Sequence, residues 1–346
     1  MLPAFHVLPS KDRDSQSGPV QTKKGEGNQM NTQTAAVQAV KKGKFQKIRV
    51  NLRNHWQLYI LLVLPIIYTF TFKYRPMYGI LIAFKQFNMK LGITASPWAD
   101  PWYKWFRNFF SSPQLSRLLG NTISLSLYSM FAGFFPPIIL AILINEMPNR
   151  ILKKTVQTIT YIPHFLSTVI VCGILTQILS LNGMVNNMLR NLGATPVQFM
   201  GKANLFPHLY VWSGVWQGVG YNSIVYIAAL AGISPELHEA ATVDGANIWQ
   251  RIWHVDIPGI LPTAVILLIL NSAHILSVGF EKVFLLSNDL NKSRSDVIST
   301  YVYRVGLGQM EYSLSTAVGL FQSVVSLLMM FIVNTISRRV SETSLW

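Results

Sequence analysis

EAATVDGANIWQRIWHVDIPGILP, residues Glu239–Pro262, is a polar, helix-forming insert between two strongly apolar segments. Hydrocarbon excludes Glu239, Asp244, Gln250, Arg251, His254 and Asp256, so the stretch lies outside a bilayer while its flanks lie inside one. Just upstream, Ser234, Pro235 and Glu236 supply an N-cap, a first-turn proline and a first-turn acid. Gly245 ends that helix and permits a bend. From Asn247 a second short helix is expected, with Ile248, Trp249, Ile252 and Trp253 as its apolar side, until Pro258 and Pro262 open the next membrane segment. Residues 234–258 therefore predict a helix-turn-helix on one membrane face.

Composition agrees with a membrane protein. Of the 346 residues 50% are hydrophobic and only 12% charged, against about 25% charged in soluble domains. Segments long enough to span lie near Trp56–Phe72, Thr122–Ile144, Tyr161–Leu181, Leu205–Leu230, Ile260–Phe280 and Ser313–Ile336. The fold class is thus an all-α integral membrane protein of about six transmembrane helices. Pro65, Pro136, Pro137 and Pro163 predict kinks whose freed backbone groups neighbouring helices must satisfy.

Residues 1–40 are expected to form a disordered tail, rich in Gly, Ser, Gln, Thr and Lys, and 41–55 a basic juxtamembrane segment, leaving 56–346 as the membrane domain. Met1–Pro9 is too short for a signal-peptide core. The cluster Lys41, Lys42, Lys44, Lys47, Arg49 and Arg53 favours a cytoplasmic N terminus, with Arg150, Lys153, Lys154, Arg338, Arg339 and the Glu239 loop on the same side. The basic segment from Lys73 to Arg117 would be external. The net charge of +15 is assigned to anionic lipid and an acidic ligand or binding protein, not to nucleic acid.

No catalytic constellation is present. There is no phosphate-binding Gly-Lys-Ser/Thr loop and no HExxH zinc helix, and His164, His208, His238, His254 and His274 lack metal-ligand spacing. The lone Cys172 excludes an intrachain disulfide. Gly214 and Gly218 in VWSGVWQGVGYN sit in an apolar helix, where small residues four apart predict close helix packing.

Glu239, Ala240, Ala241, Asp244, Gly245, Ala246, Ile257 and Pro258 resemble the EAA loop of type I ABC importer permeases. KYRPMYGILIAFKQFN (73–88), ITYIPHFLS around Pro163, GFEKVFLL (279–286) and TYVYRVGLGQMEYSLSTAVGLFQSVV (300–325) are similar to the maltose-type family's complex-oligosaccharide, lipoprotein-associated branch. The family commonly has leucine and phenylalanine where this chain has Ile257 and Trp253, which keeps the apolar character. The resemblance implies a sugar-importing permease that binds no cofactor itself, with ATP and Mg held by two cytoplasmic ATPase subunits. A homologous second permease, an extracellular solute-binding lipoprotein and an oligosaccharide substrate complete the implied assembly, in a bacterial plasma membrane with both termini cytoplasmic. The family's external scoop would fall at about Leu286–Gln309.

Sugar recognition needs aromatic faces for the apolar C–H surfaces and amides, hydroxyls or carboxylates for the hydroxyl edges. The fourth and fifth spans carry that mixture. Trp216, Gln217, Gly218, Tyr221 and Asn222 occupy the stretch that lines the sugar site in the similar maltose permease. Asn271, Ser272, His274 and Glu281 follow, and their spacing allows Asn271, His274 and Glu281 to share one helix face. Glu281 is either a cavity group or an interfacial acid paired with neighbours of Lys282 or with water. His164 and Thr168, beside Pro163, complete the candidate path. An ion-coupled secondary transporter would instead need ionisable groups at midspan and internal repeats, and a membrane enzyme a polar catalytic set; the chain displays neither.

Overall fold

The computed structural model describes residues 55–272, 276 and 278–341. The expected tail and nearly all of the basic segment lie outside the described residues. The chain divides into two units, Met1–Pro76 and Met77–Trp346. In the first, α1 (Trp56–Thr69) holds Pro65 within it and continues through a π turn, Phe70–Tyr74.

The second unit is helical, and among the described residues its only β pairing is an isolated bridge between Lys85 and Trp98. Its elements are α2 (Lys104–Phe110), α3 (Leu115–Asn145), α4 (Arg150–Tyr161), α5 (Thr168–Ile178), α6 (Met184–Asn191), α7 (Phe206–Ala231), α8 (Pro235–Val243) and α9 (Ile248–Arg251). After these come α10 (Ile257–Ser272), α11 (Phe280–Leu286), α12 (Lys292–Ser295), α13 (Ile298–Tyr303) and α14 (Tyr312–Ser341).

Four described helices are long and apolar enough to cross a bilayer: Trp56–Phe84, Leu115–Asn145, Ile248–Ser272 and Tyr312–Ile336. A bent pair, Arg150–Phe165 with Thr168–Ile178, makes a fifth if taken as one span. The expected fourth span exists as α7, whose 26 residues reach about 39 Å at 1.5 Å per residue. Its Ser213, Gln217, Asn222 and Ser223 leave it outside that apolar group.

Two expected spans differ from the structure. The third is not one straight helix but turns through 97° between Phe165 and Thr168. Pro163 sits in a 3-10 turn, Ile162–Phe165, Leu166 is extended, and Ser167 starts α5 by accepting from the Ile170 amide at 3.3 Å. Pro136 and Pro137, by contrast, stay inside the continuous α3. The fifth span starts earlier than expected, because α9 passes through a π turn (Ile252–Asp256) directly into α10.

Three apolar clusters follow one another along α3. Leu118 packs with Phe109, Ile298 and Val318 at one end, Leu125 with Val211, Val283 and Val297 in the middle, and Ala141 and Ile142 with Tyr226, Leu230 and Ile260 at the other. The order 125 to 141 therefore runs alongside 211 to 230, so α3 and α7 are parallel. The glycine that closes a helix contact is Gly220, not the expected Gly214–Gly218 pair. A Cβ on Gly220 would meet the Thr160 carbonyl oxygen at 2.1 Å, whereas one on Gly214 would meet only the Lys282 Nζ, at 3.2 Å, and one on Gly218 only Asn222 of its own helix.

Candidate functional site

Two places on the membrane domain have the geometry of a site. The first is a cavity of about 410 Å³ enclosed by α3, α7, α10 and α11. Ser126 and Ser129 face it from α3, Tyr210, Gly214, Gln217 and Asn222 from α7, Asn271 from α10, and Gly279 and Lys282 from the start of α11. The hydroxyl oxygens of Ser126 and Ser129 are buried without a hydrogen-bond partner. Gln217 Nε2 donates to the Leu166 carbonyl at 2.9 Å, so the carbonyl freed by the 97° bend is satisfied from the cavity wall. The Lys282 ammonium lies 5.1 Å from the Tyr210 ring centroid, a cation–π distance.

Of the sequence-predicted path residues, Asn222 and Asn271 line the cavity, as does Gln217. Trp216, Gly218 and Tyr221 lie on α7 outside the lining. Tyr221 is stacked face to face on His164, with centroids 3.8 Å apart and planes 1° from parallel, which occupies one of its two faces. Thr168 is the first residue of α5, at the bend. Glu281 does not share a helix face with Asn271: Val278 and Gly279 are not helical, and Glu281 belongs to the separate α11, exposed and outside the lining. His274 lies outside the described residues. Lys282, Tyr210 and the two serines were not singled out as site residues from sequence. Lys282 had one visible signal, a cation beside Glu281 at the head of the apolar run Val283–Leu286.

The second place is the 234–258 loop, whose two helices and Gly245 turn form as expected, although Ser234 makes no side-chain cap bond and the second helix runs past Pro258 without a break. Pro235 and Glu236 stand in the first turn of α8. Its C terminus closes by two bonds, Ala246 N–H to the Ala241 carbonyl at 2.9 Å and Gly245 N–H to the Thr242 carbonyl at 3.1 Å, the Schellman pattern. Gly245 takes φ +77°, where a side chain is strained. Asn247 and Gln250 then cap α9 reciprocally, each side chain accepting from the other's amide at 2.9 and 2.8 Å. Two interlocked caps leave the turn little freedom.

This loop is moored at its base. Arg251 NH2 lies 3.8 Å from Glu146 Oε2 at the end of α3, and His238 Nε2 lies 3.5 Å from Oδ1 of the buried Asp256. Ile252 and Ile257 pack on the cluster around Tyr226 and Leu230. The expected apolar side is thereby divided: Ile252 faces inward, while Trp249 (76% exposed), Trp253 (69%) and Val243 (87%) point outward. Glu239, Ala240, Asp244 and Gly245 are exposed beside them, Ala241 and Ala246 half-buried, and Ile257 and Pro258 form the first turn of α10.

At the opposite end of α3 a polar layer is organised by Asp296, which is buried. Arg304 grips both its carboxylate oxygens at 3.0 Å, Arg117 adds a 3.2 Å contact, and Asn121 donates to the Asp296 carbonyl at 2.9 Å. The segment expected as a scoop, 286–309, is therefore held to α3 by the Arg117–Asp296 ion pair and the Asn121 bonds.

An EAA-type loop at one end of a helical bundle and a polar cavity within it define a membrane transport subunit. The family described as "binding-protein-dependent transport system inner membrane component" matches residues 137–342, and the chain belongs to it. It is 39% identical to Protein LplB of Bacillus subtilis (strain 168), over 85% of this chain and 92% of that one. It is 38% identical to the polygalacturonan/rhamnogalacturonan transport system permease protein YteP of the same organism, over 91% and 98%. The fold is similar to a chain in the crystal structure of a bacterial ABC transporter involved in the import of the acidic polysaccharide alginate, with TM-score 0.78, 41% identity, and 85% and 99% of the two chains covered. The chain is thus a multi-pass inner-membrane permease subunit of a binding-protein-dependent ABC importer, and ATP hydrolysis belongs to a separate subunit.

Proposed function

We propose that this chain passes oligosaccharides or polysaccharide fragments across the membrane through the cavity between α3, α7, α10 and α11. The observation that carries the reading is that Gln217 and Asn222 of α7, Asn271 of α10 and the Lys282 ammonium of α11 all line one space. Such groups match sugar hydroxyl edges, and irregular or polar membrane segments persist where they line a cavity. The names of the relatives support carbohydrate cargo.

The 234–258 loop is the contact with a cytoplasmic ATPase. Small alanines let a cleft close on α8, Glu239 offers a charge, and Val243, Trp249 and Trp253 form an exposed apolar ridge suited to a partner surface. Arg150, Lys153 and Lys154 on α4, just past the loop's end of α3, support a cytoplasmic location for the loop by the charge rule. A second homologous permease completes the pathway, ATP and Mg act on the paired ATPases, and an external binding protein delivers the sugar.

Asn222→Ala and Asn271→Ala test the path. Each removes one hydrogen-bonding edge worth about 1 kcal/mol, so uptake by the complete complex in proteoliposomes should fall about fivefold in each. The ATPase should still co-purify, since neither residue lies in the loop. Uptake within twofold of wild type in both variants would show that these amides are packing groups and remove the cavity as the route.

A further inference from the structure

We infer that Lys282 is a specificity-determining residue that reads a carboxylate on the transported oligosaccharide, so that the cargo is a uronate-containing chain. The inference rests on the oligosaccharide reading of the cavity above.

The cavity is lined by hydroxyls, amides and apolar groups, with Lys282 as its one charged group among the described residues. Among the described residues no carboxylate lines the cavity beside it. The described ion pairs use Glu146, Asp256 and Asp296, all away from this cavity, and Lys282 belongs to none of them. The neighbouring residues 273–277 contain no acid in sequence, and Glu281 is exposed outside the lining.

An ammonium withdrawn from bulk water without a counter-ion is costly. The fold nevertheless holds it in the cavity. Its Nζ stands over the Tyr210 ring at 5.1 Å and 3.2 Å from where a Gly214 Cβ would be. Absence of a side chain at 214 is what lets the amine reach the α7 wall. A merely structural lysine would snorkel to water or pair with an acid; this one is half-buried and has a ring on one side and open cavity on the other.

The ligand that fits is an anion with many hydroxyls. A carboxylate would supply the missing counter-charge, while Asn222 and Asn271 would take the ring hydroxyls. A site built around such a charge rejects the analogue that lacks it, because the amine is then left unpaired.

The test compares two substrates that differ only in charge. Proteoliposomes containing the complete transporter with its binding protein are given labelled oligogalacturonate, and separately the same oligomer with its carboxyl groups reduced to primary alcohols. The wild-type uptake ratio should favour the acid. Lys282→Gln should lower that ratio about tenfold, the size expected for loss of one charge-assisted bond, and Lys282→Arg should restore most of it. A ratio in Lys282→Gln equal to wild type, or equal losses of both substrates in Lys282→Gln and Lys282→Arg, would overturn the assignment and make Lys282 a packing residue. Preference of the wild type for the reduced oligomer would overturn it as well. If the assembled, ATP-hydrolysing wild type took up neither oligomer, the oligosaccharide reading itself would fail, a result distinct from a failed ratio.

Discussion

Asp296→Ala is expected to cost about 3 kcal/mol of stability, the scale seen when one partner of a buried pair is removed. The carboxylate is 1% exposed, and both its oxygens are held by Arg304, with Arg117 as a third ligand. Removing it leaves two guanidiniums without their shared counter-ion and frees Thr300, whose hydroxyl sits 3.3 Å from Oδ1. The layer joining α12 and α13 to α3 should loosen, lowering the melting temperature of the detergent-solubilised protein. Replacing both sides with apolar groups, as in Asp296→Leu with Arg304→Met, should recover part of the loss, because no charge then remains unpaired. A single variant that melts with wild type would show that the pair contributes nothing net and that apolar packing around Phe109 and Ile298 holds the layer alone.

Gly245→Val should abolish stable association with the ATPase while leaving membrane insertion intact. At φ +77° a β-branched residue pays at least about 1–2 kcal/mol. Relieving that strain breaks the two bonds that close α8, Ala246 N–H to Ala241 and Gly245 N–H to Thr242. The exposed ridge of Val243, Trp249 and Trp253 then loses its fixed shape, and affinity for the ATPase should fall at least about tenfold. Gly245→Asn, which tolerates the left-handed conformation better, should keep most of the association. Co-purification of the ATPase at wild-type yield with Gly245→Val would detach the loop from coupling.

The loop was legible in sequence because its determinants are local. Gly245 after an alanine-rich helix marks its stop and Asn247 the next start, while the reciprocal Asn247–Gln250 cap went unread and the Ser234 cap does not form. The cavity was legible only in part. Asn222 and Asn271 carry the right chemistry on long helices, but Glu281 drew attention because the periodicity was carried through Val278 and Gly279, which are not helical. Once α11 is a separate helix, its Lys282 rather than Glu281 faces the cavity. Likewise the bond from Gln217 to Leu166 joins residues 51 apart and the one from Arg117 to Asp296 residues 179 apart. Such pairings depend on how helices meet, which local pattern does not encode. Gly220 illustrates the same limit: the motif of glycines four apart pointed to Gly214 and Gly218, while the tight contact is decided by where α4 crosses.

The central claim is that this subunit moves oligosaccharide by ATP-driven coupling through its 234–258 loop, and the most direct measurement is uptake by proteoliposomes of the complete complex with ATP enclosed and binding protein outside. The account predicts that labelled oligosaccharide accumulates only when both ATP and binding protein are present, and that collapsing proton and sodium gradients leaves accumulation unaltered. Accumulation driven by either ion gradient without ATP would contradict it.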